Sequence, residues 1–514
     1  MKKKVALLLS CALTLSLALS ACGGNDNPPA GSAQPSASAG EPGVVKTELV
    51  AGVDSLSTSI DPMLANFSNT TSVANHIYNT LVKYDLNNEI VGDMASDWSR
   101  PDDTTWEFTI QDGYKFHNGD DVTMEDVVFS VERCKDIPQA VQYVTGVTSV
   151  TAEGNKLIVK TETRNNKLIH DFTNIVITSQ KAVTEAGDNW GQIAVGSGPY
   201  KVASFIPSNE VVLERWDEHP TLKPALSKIT VRAIGDASSK YMGIEKGDLD
   251  FVDKINAGDI GRADANDKLT TIKVPSLGIF FMAVNASVAP FDNAKVREAL
   301  QYTIDREALI SLGSGIDAVA NTMLSPALPS YNQDVKAPGL DLEKAKDMLA
   351  EAGYPDGFDT TLWIYNDSQK TYAELTQALL KEIGVNVTIE QLEFGKFLDS
   401  LDKGEHMMLF GKQTASPYAI SSLEMYYGDQ NFGGGGNFGF YTNDEANALI
   451  AQGLAAMDEA EEIACAKKIQ EVVAQDNPYY PISNTVDCRV VVNNLKGCEF
   501  FSNSTFSFLN AYFE

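Results

Sequence analysis

The sequence predicts an α/β protein built from more than one lobe, on three observations. Two amphipathic helices in succession end in glycine, "DLEKAKDMLAEAG" at Gly353 and "YAELTQALLKEIG" at Gly384, and the second runs straight into the β-rich "VNVTIEQLEF". Segments of alternating hydrophobicity recur between helical stripes along most of the chain. Residues 46–514 are also too many for a single hydrophobic core of ordinary size.

The elements follow in order. Lys2, Lys3 and Lys4 precede an uncharged apolar run from Val5 to Ala21, the pattern of a signal peptide, short for a comfortable bilayer span. Leu19, Ser20, Ala21 and Cys22 resemble the lipobox of bacterial lipoproteins, which implies cleavage after residue 21 and acylation of Cys22. An ordinary secreted protein with an incidental Cys22 is the alternative. Gly, Pro, Ser and Ala dominate from Gly23 to about Val45 and have almost nothing to bury, so residues 22–46 are expected to be a lipidated cysteine and a flexible linker.

"TELVAGV" (Thr47 to Val53) reads as a strand and Ser72 to Val82 as a helix. "TTWEFTIQDGYKFHNG" alternates and then breaks at Asp112-Gly113 and Asn118-Gly119, the mark of a hairpin. Thr123 with Asp126 three residues on forms a capping box that starts a helix. "NKLIVKTET", "NEVVLERW", "ALSKITVRAI" and "DLDFVD" read as strands, with a helix from Ser238 to Lys246 before the last of them. "NAKVREALQYTIDREALI" is one amphipathic stripe capped by Asp292 or Asn293. Asp444 to Met457 and "EEIACAKKIQEVVAQ" are helical, and short strands finish the chain.

Once Lys2, Lys3 and Lys4 leave with the signal peptide, 37 basic residues stand against 69 acidic ones, which argues against a nucleic-acid partner. His76, His117, His170, His219 and His406 are scattered singly, without HExxH, so no metal site is expected. There is no GxSxG elbow, and "LGSGID" and "NFGGGGNFG" lack the ending of a phosphate loop. The run Gly433 to Gly436 reads as a loop. Acidic pairs such as Asp120 and Asp121 abound, and none is singled out as a glycosidase pair. No catalytic residue and no cofactor are therefore expected. Cys134, Cys465, Cys488 and Cys498 match no metal or redox spacing and read as buried small hydrophobes, although a Cys488–Cys498 bridge is open.

Four segments in order, "IYNTLVKYDLNNEIVGDMASDWSRPDDTTWEFTIQDGYKFHNGDDVTMEDVVFSVER", "GSGPYKVASFIPSNEVVLER", "PFDNAKVREALQYTIDREALI" and "EKAKDMLAEAGYPDGF", resemble the solute-binding proteins of ABC importers, in the oligopeptide, dipeptide and nickel group (bacterial extracellular solute-binding protein family 5). The resemblance runs from about Thr47 to the C-terminus. It implies a two-lobed periplasmic-binding-protein-like fold with an extra subdomain and a hinge between lobes. One lobe would combine 47–78, 181–285 and 489–514, the extra subdomain would be 79–180, and the other lobe 286–488. It also implies a monomeric, membrane-tethered receptor at the outer face of the cell membrane, or in a periplasm, that captures a peptide or peptide-like solute and hands it to an ABC permease. Nickel chelates or small glycans on the same scaffold, a secreted hydrolase, and a surface sensor or chaperone uncoupled from import are the rivals.

Family members pair an aspartate with a peptide's amino group after a Gly-Trp sequence. In "LFGKQTASPYA" Lys412 stands in place of the tryptophan and Ala415 or Ser416 in place of the aspartate, so Lys412 is expected to face a carboxylate or other anion, or to be solvated. By the same matching, Asn66, Ser68 and Asn69 fall where the ligand backbone is met, Phe281 lies on a crossover strand beside the cleft or in the core, and Asp253 is the remaining candidate partner for an amine. Gln413, Ser416, Tyr418, Tyr426, Tyr427, Asn437 and Phe438 are expected to shape pockets.

Overall fold

The structure is a computed structural model that describes residues 46–64, 68–313 and 315–514. A single mixed sheet runs through both lobes. Its order from one edge is Asn386–Gln391, Asp359–Ile364, Met408–Thr414, Leu269–Val284, Tyr479–Val492, Phe251–Val252, Glu48–Val53, Lys228–Ala233, Glu210–Arg215 and Tyr200–Ile206, with Ala318–Val319 also on Tyr479–Val492. Leu269–Val284 and Tyr479–Val492 are the two long crossover strands. Their outer ends pair with Phe251–Val252 in the first lobe and with Met408–Thr414 in the second.

The registers fix where the strands point. Glu48–Val53 pairs parallel with Lys228–Ala233 and Phe251–Val252, and the last of these is antiparallel to the second crossover strand. Asp359–Ile364 pairs parallel with Asn386–Gln391 and Met408–Thr414, which is antiparallel to the first crossover strand. The parallel strands of each lobe therefore end facing the other lobe, where open α/β sheets bind ligands.

Each lobe buries both faces of its part of the sheet. In the first lobe one face holds Leu49, Ala51, Val53 and Phe251, and the other holds Tyr241, Ile244, Val252 and Val490. In the second, Ile279, Phe281, Tyr426 and Tyr479 pack on one face and Met282, Val296, Leu380 and Phe410 on the other. The extra subdomain carries the four-stranded sheet Ala95–Asp102, Thr105–Ile110, Lys156–Thr161, Val147–Glu153, and its core is continuous with that of the first lobe.

The crossover strands lose register between Pro275 and Ile279, where five residues on one strand stand against the three from Val486 to Asn484 on the other. Pro275 has no N–H for the ladder, and a Cβ on Gly278 would stand 2.3 Å from Thr485 Oγ1, so the pairing is interrupted there. Residues 277–284 already belong to the second lobe's cores. This irregularity at 275–279 and 484–486 lies near the expected lobe boundaries at 285 and 488.

Other expectations are refined. The capping box is present, with Thr123 Oγ1 accepting from Asp126 N and the Asp126 carboxylate from Thr123 N at the start of Met124–Glu132. Gly353 and Gly384 have φ of 97° and 87°, the left-handed conformation a helix end requires. The first helix is Ser68–Ile77, and the expected hairpin partner of Thr105–Ile110 is not the segment after Asp112-Gly113 but the preceding strand Ala95–Asp102. The stripe from Asn293 is two helices, Ala294–Gln301 and Arg306–Leu312, because Asp305 caps the second by accepting from Ala308 N. Cys134, Cys465, Cys488 and Cys498 are free thiols, so Cys488 and Cys498 do not bridge. No helix among the described residues is long and apolar enough to cross a membrane. Cys22 and the signal peptide lie outside the described residues.

Candidate functional site: the interlobe cleft

On the first lobe, the chain leaves Glu48–Val53 at Asp54 and returns into the helix Ser68–Ile77, while Asp253 follows Phe251–Val252. These ends are tied together by an ion cluster. The ammonium of Lys240, 0 % exposed, lies between the carboxylates of Asp54 and Asp253, at 2.6 Å from Asp253 Oδ1. Asp253 Oδ2 accepts from Asp54 N at 2.9 Å and Asn69 Nδ2 at 3.2 Å. Burial raises the Asp253 pKa, Lys240 opposes that shift, and the Asp54 carboxylate adds to it.

Asp253 is thus committed to the protein, with both oxygens taken, rather than waiting for a ligand amine. Asp54, whose side chain is 42 % exposed, is the carboxylate of this cluster that faces water. Ser68 is exposed at the helix start and its carbonyl accepts from Ser72 Oγ. Asn66 lies outside the described residues.

On the second lobe the expected residues separate by face, since strand side chains alternate. Gly411 and Gln413 point into the core. A Cβ on Gly411 would stand 2.5 Å from Phe281 Cζ, and Phe281 is fully buried there against Tyr479 and Phe438, in the core rather than on the cleft wall. Gln413 Nε2 reaches Gly436 O at 3.3 Å while its buried Oε1 has no partner. Asn437 is fully buried and spends its amide on Gly428 O, Tyr441 O and Tyr441 N, so it organises the loop. Phe438 is partly buried against the same core. Tyr426 and Tyr427 are buried core residues beside Tyr479. The glycine run is a packed turn, in which a Cβ on Gly436 would meet Met425 Cγ at 2.3 Å. Lys412 points to the opposite, open face.

Ala415 is buried and Ser416 caps the turn into Ala419–Tyr427, its Oγ accepting from Tyr418 N, so no carboxylate stands at either position. Tyr418 marks where the extra subdomain meets the second lobe. Its ring stacks on His170 at 4.3 Å, and His170 Nδ1 is 2.8 Å from Tyr84 Oη. Nearby, Ala456 O accepts from Arg164 Nε and Nη2 and from Asn166 Nδ2. Burial pushes Glu462, on the same side, up to about 7, with the Glu459 carboxylate second. The Tyr418 hydroxyl is buried without a partner. Tyr418→Phe is therefore expected to leave thermal stability unchanged or raise it by less than about 1 kcal/mol, whereas Tyr84→Phe, which removes a made bond, lowers it.

Sequence reading missed Lys240, Asp54, Lys254 and the Tyr84–His170–Tyr418 contact. Only Lys254 had a signal, its place directly after Asp253. Among the described residues no cluster of three or more His, Cys, Asp or Glu is arranged to hold a metal ion.

The family model described as bacterial extracellular solute-binding proteins, family 5, matches residues 89–434. The glutathione-binding protein of Escherichia coli (strain K12) is 27 % identical over 485 residues, covering 90 % of this chain and 94 % of that protein. The ABC transporter-associated periplasmic binding protein DppA of Helicobacter pylori, solved with the peptide STSA, superposes with a TM-score of 0.76 at 23 % identity, covering 91 % of this chain and 98 % of that one. The NikA protein of Staphylococcus aureus, solved with a nickel–histidine complex, superposes with a TM-score of 0.73 at 21 % identity, covering 91 % and 100 %.

Proposed function

The chain belongs to family 5 of the bacterial extracellular solute-binding proteins, and from that premise we propose that it is the lipid-anchored receptor of an ABC importer, closing on a peptide or peptide-like solute and delivering it to the permease. The observation that carries this reading is the facing of the two sets of parallel strand ends across a pair of irregular crossover strands. A solute held between them touches both lobes only in the closed form, so binding shifts the hinge equilibrium and reports occupancy without a covalent step. Relatives of this chain are named for glutathione, a peptide and a nickel complex, and the absence of a carboxylate at Ala415 and Ser416 favours a solute held by something other than a peptide α-ammonium. Asn66, Ser68, Asn69 and Lys412 are the expected residues we retain at the ligand, with Asp54 added.

Two measurements test it. Spin labels at the exposed positions Leu222 and Leu340, one on each lobe, should approach each other when solute is added. Deleting the gene should abolish uptake of that solute. Closure with unchanged uptake would instead identify a sensor or chaperone.

A further inference from the structure

Phe280 stands opposite both Lys412 and Ser483 in the crossover register, which puts these three side chains on one face. Along Tyr479–Val492 the same face carries Thr485, Asp487 and Arg489, so the strip between the two lobes' cores is polar. Lys412 lies along it over Gly278, its Cε 3.4 Å from where a Cβ would stand. Lys412 is exposed as a residue and has no hydrogen-bond or ion-pair partner among the described residues. The same holds for Lys254, which follows the first lobe's cluster at Asp253.

The acids on this floor are already engaged. Asp317 takes Ser483 Oγ at 3.0 Å and Val486 N at 3.0 Å, and Asp487 takes Arg489 Nη2 at 3.1 Å. Arg489, 2 % exposed, still has Nε and Nη1 without partners. With Lys240, Asp54 and Asp253 of the adjoining cluster counted, four cations stand against four carboxylates, and Lys412 and Lys254 are the two of these cations that pair with none of them. Desolvation by the surrounding walls lowers the Lys412 pKa, the Lys254 ammonium lowers it further, and Asp487 and Asp317 oppose.

We propose that the solute carries a carboxylate or comparable anionic group, received jointly by Lys412 of one lobe and Lys254 of the other. This deepens the solute-binding reading and rests on it. Closing an empty cleft brings two like charges together. An anion between them turns that repulsion into two charge-assisted contacts, one from each lobe, which is the differential interaction closure requires.

The test equilibrates the full-length protein with a tryptic digest of casein and reads bound peptides by native mass spectrometry. The digest is used untreated, amidated at its carboxyl groups, or acetylated at its amines. Untreated and acetylated peptides should bind and amidated ones should not. Binding should fall at least tenfold in Lys412→Gln and Lys254→Gln and recover in Lys412→Arg. Equal retention of amidated peptides, or unchanged binding in both glutamine variants, overturns the proposal. If no peptide binds at all, the peptide reading fails, and the anion inference is then decided by titrating citrate and inorganic phosphate separately against thermal unfolding. Saturable stabilisation that both glutamine variants lose upholds it, with citrate alone indicating a carboxylate and phosphate alone a phosphoryl group. No stabilisation by either ion overturns it.

Discussion

Replacing Asp61 by alanine is expected to cost about 3 to 5 kcal/mol, the usual penalty for breaking a buried ion pair by removing one partner. Asp61 is fully buried, and three donors converge on it. Arg133 Nη2 and Trp190 Nε1 each reach Oδ2 at 2.7 Å, and Met63 N reaches Oδ1 at 2.9 Å. These come from three separate stretches of chain, so the carboxylate pins the extra subdomain to two segments of the first lobe. Alanine leaves a guanidinium that is nine-tenths buried with Thr178 Oγ1, at 3.3 Å, as its remaining side-chain contact, and an indole N–H with none. Asn keeps an acceptor and loses the charge, so Asp61→Asn should cost less. Calorimetry of the two variants should show the alanine protein's first unfolding transition lowered by roughly 10 °C. An unmoved transition would mean that other groups take over all three donors.

What was legible in the sequence follows the range of the interactions. The Thr123–Asp126 box, the Asn293 cap and the glycines at 353 and 384 act within four residues, and their chemistry is written locally. The broken stripe after Asn293 shows the same logic from the other side. Asp305 offered a second cap in plain view, and a satisfied cap outweighed continuity of the apolar face. Strand partners were not legible in this way. Thr105–Ile110 found its neighbour upstream because both segments alternate equally well, and only the assembled sheet chooses between them. The site was least legible of all. Lys240 reads as one more helix-surface lysine until Asp54, 186 residues earlier, is folded against it. Asp253 is expected from the sequence as the partner of a ligand amine, yet its oxygens accept from groups that no local pattern announces.

Acidification from pH 6.5 to pH 5 is expected to destabilise the protein by several kcal/mol, through its histidines. His76, His117, His170 and His406 are held at about 4 against an ordinary 6.5, in each case chiefly by desolvation. In that interval the unfolded chain binds protons that the folded one refuses, so stability present above pH 6.5 is lost as pH falls toward 4. Hydrogen bonding supplies the reason beyond burial. His76 Nδ1 donates to Ser72 O at 2.7 Å while its Nε2 accepts from Phe508 N at 2.9 Å. His117 Nε2 donates to Gly198 O and its Nδ1 accepts from Gly196 N. An imidazolium has two donors and would turn one of them against a backbone N–H. His406 donates Nε2–H to Phe438 O, and its buried Nδ1 would gain a proton with no acceptor. Burial acts in the opposite sense on Asp171, raised to about 6, and Glu462, raised to about 7, which gain protons on folding and stabilise the fold as pH falls. With at most about 1.4 kcal/mol per pH unit for each group, the four histidines forfeit roughly 6 kcal/mol between pH 6.5 and pH 5 and the two carboxylates return roughly 3. Stability should therefore fall across this range by calorimetry. His406→Gln, which keeps a donor for Phe438 O and cannot titrate, should flatten the slope by about a quarter of the histidine contribution. A flat profile in the parent protein would show that the imidazoles do not resist protonation, and with it that the fixed donor–acceptor pattern around them yields.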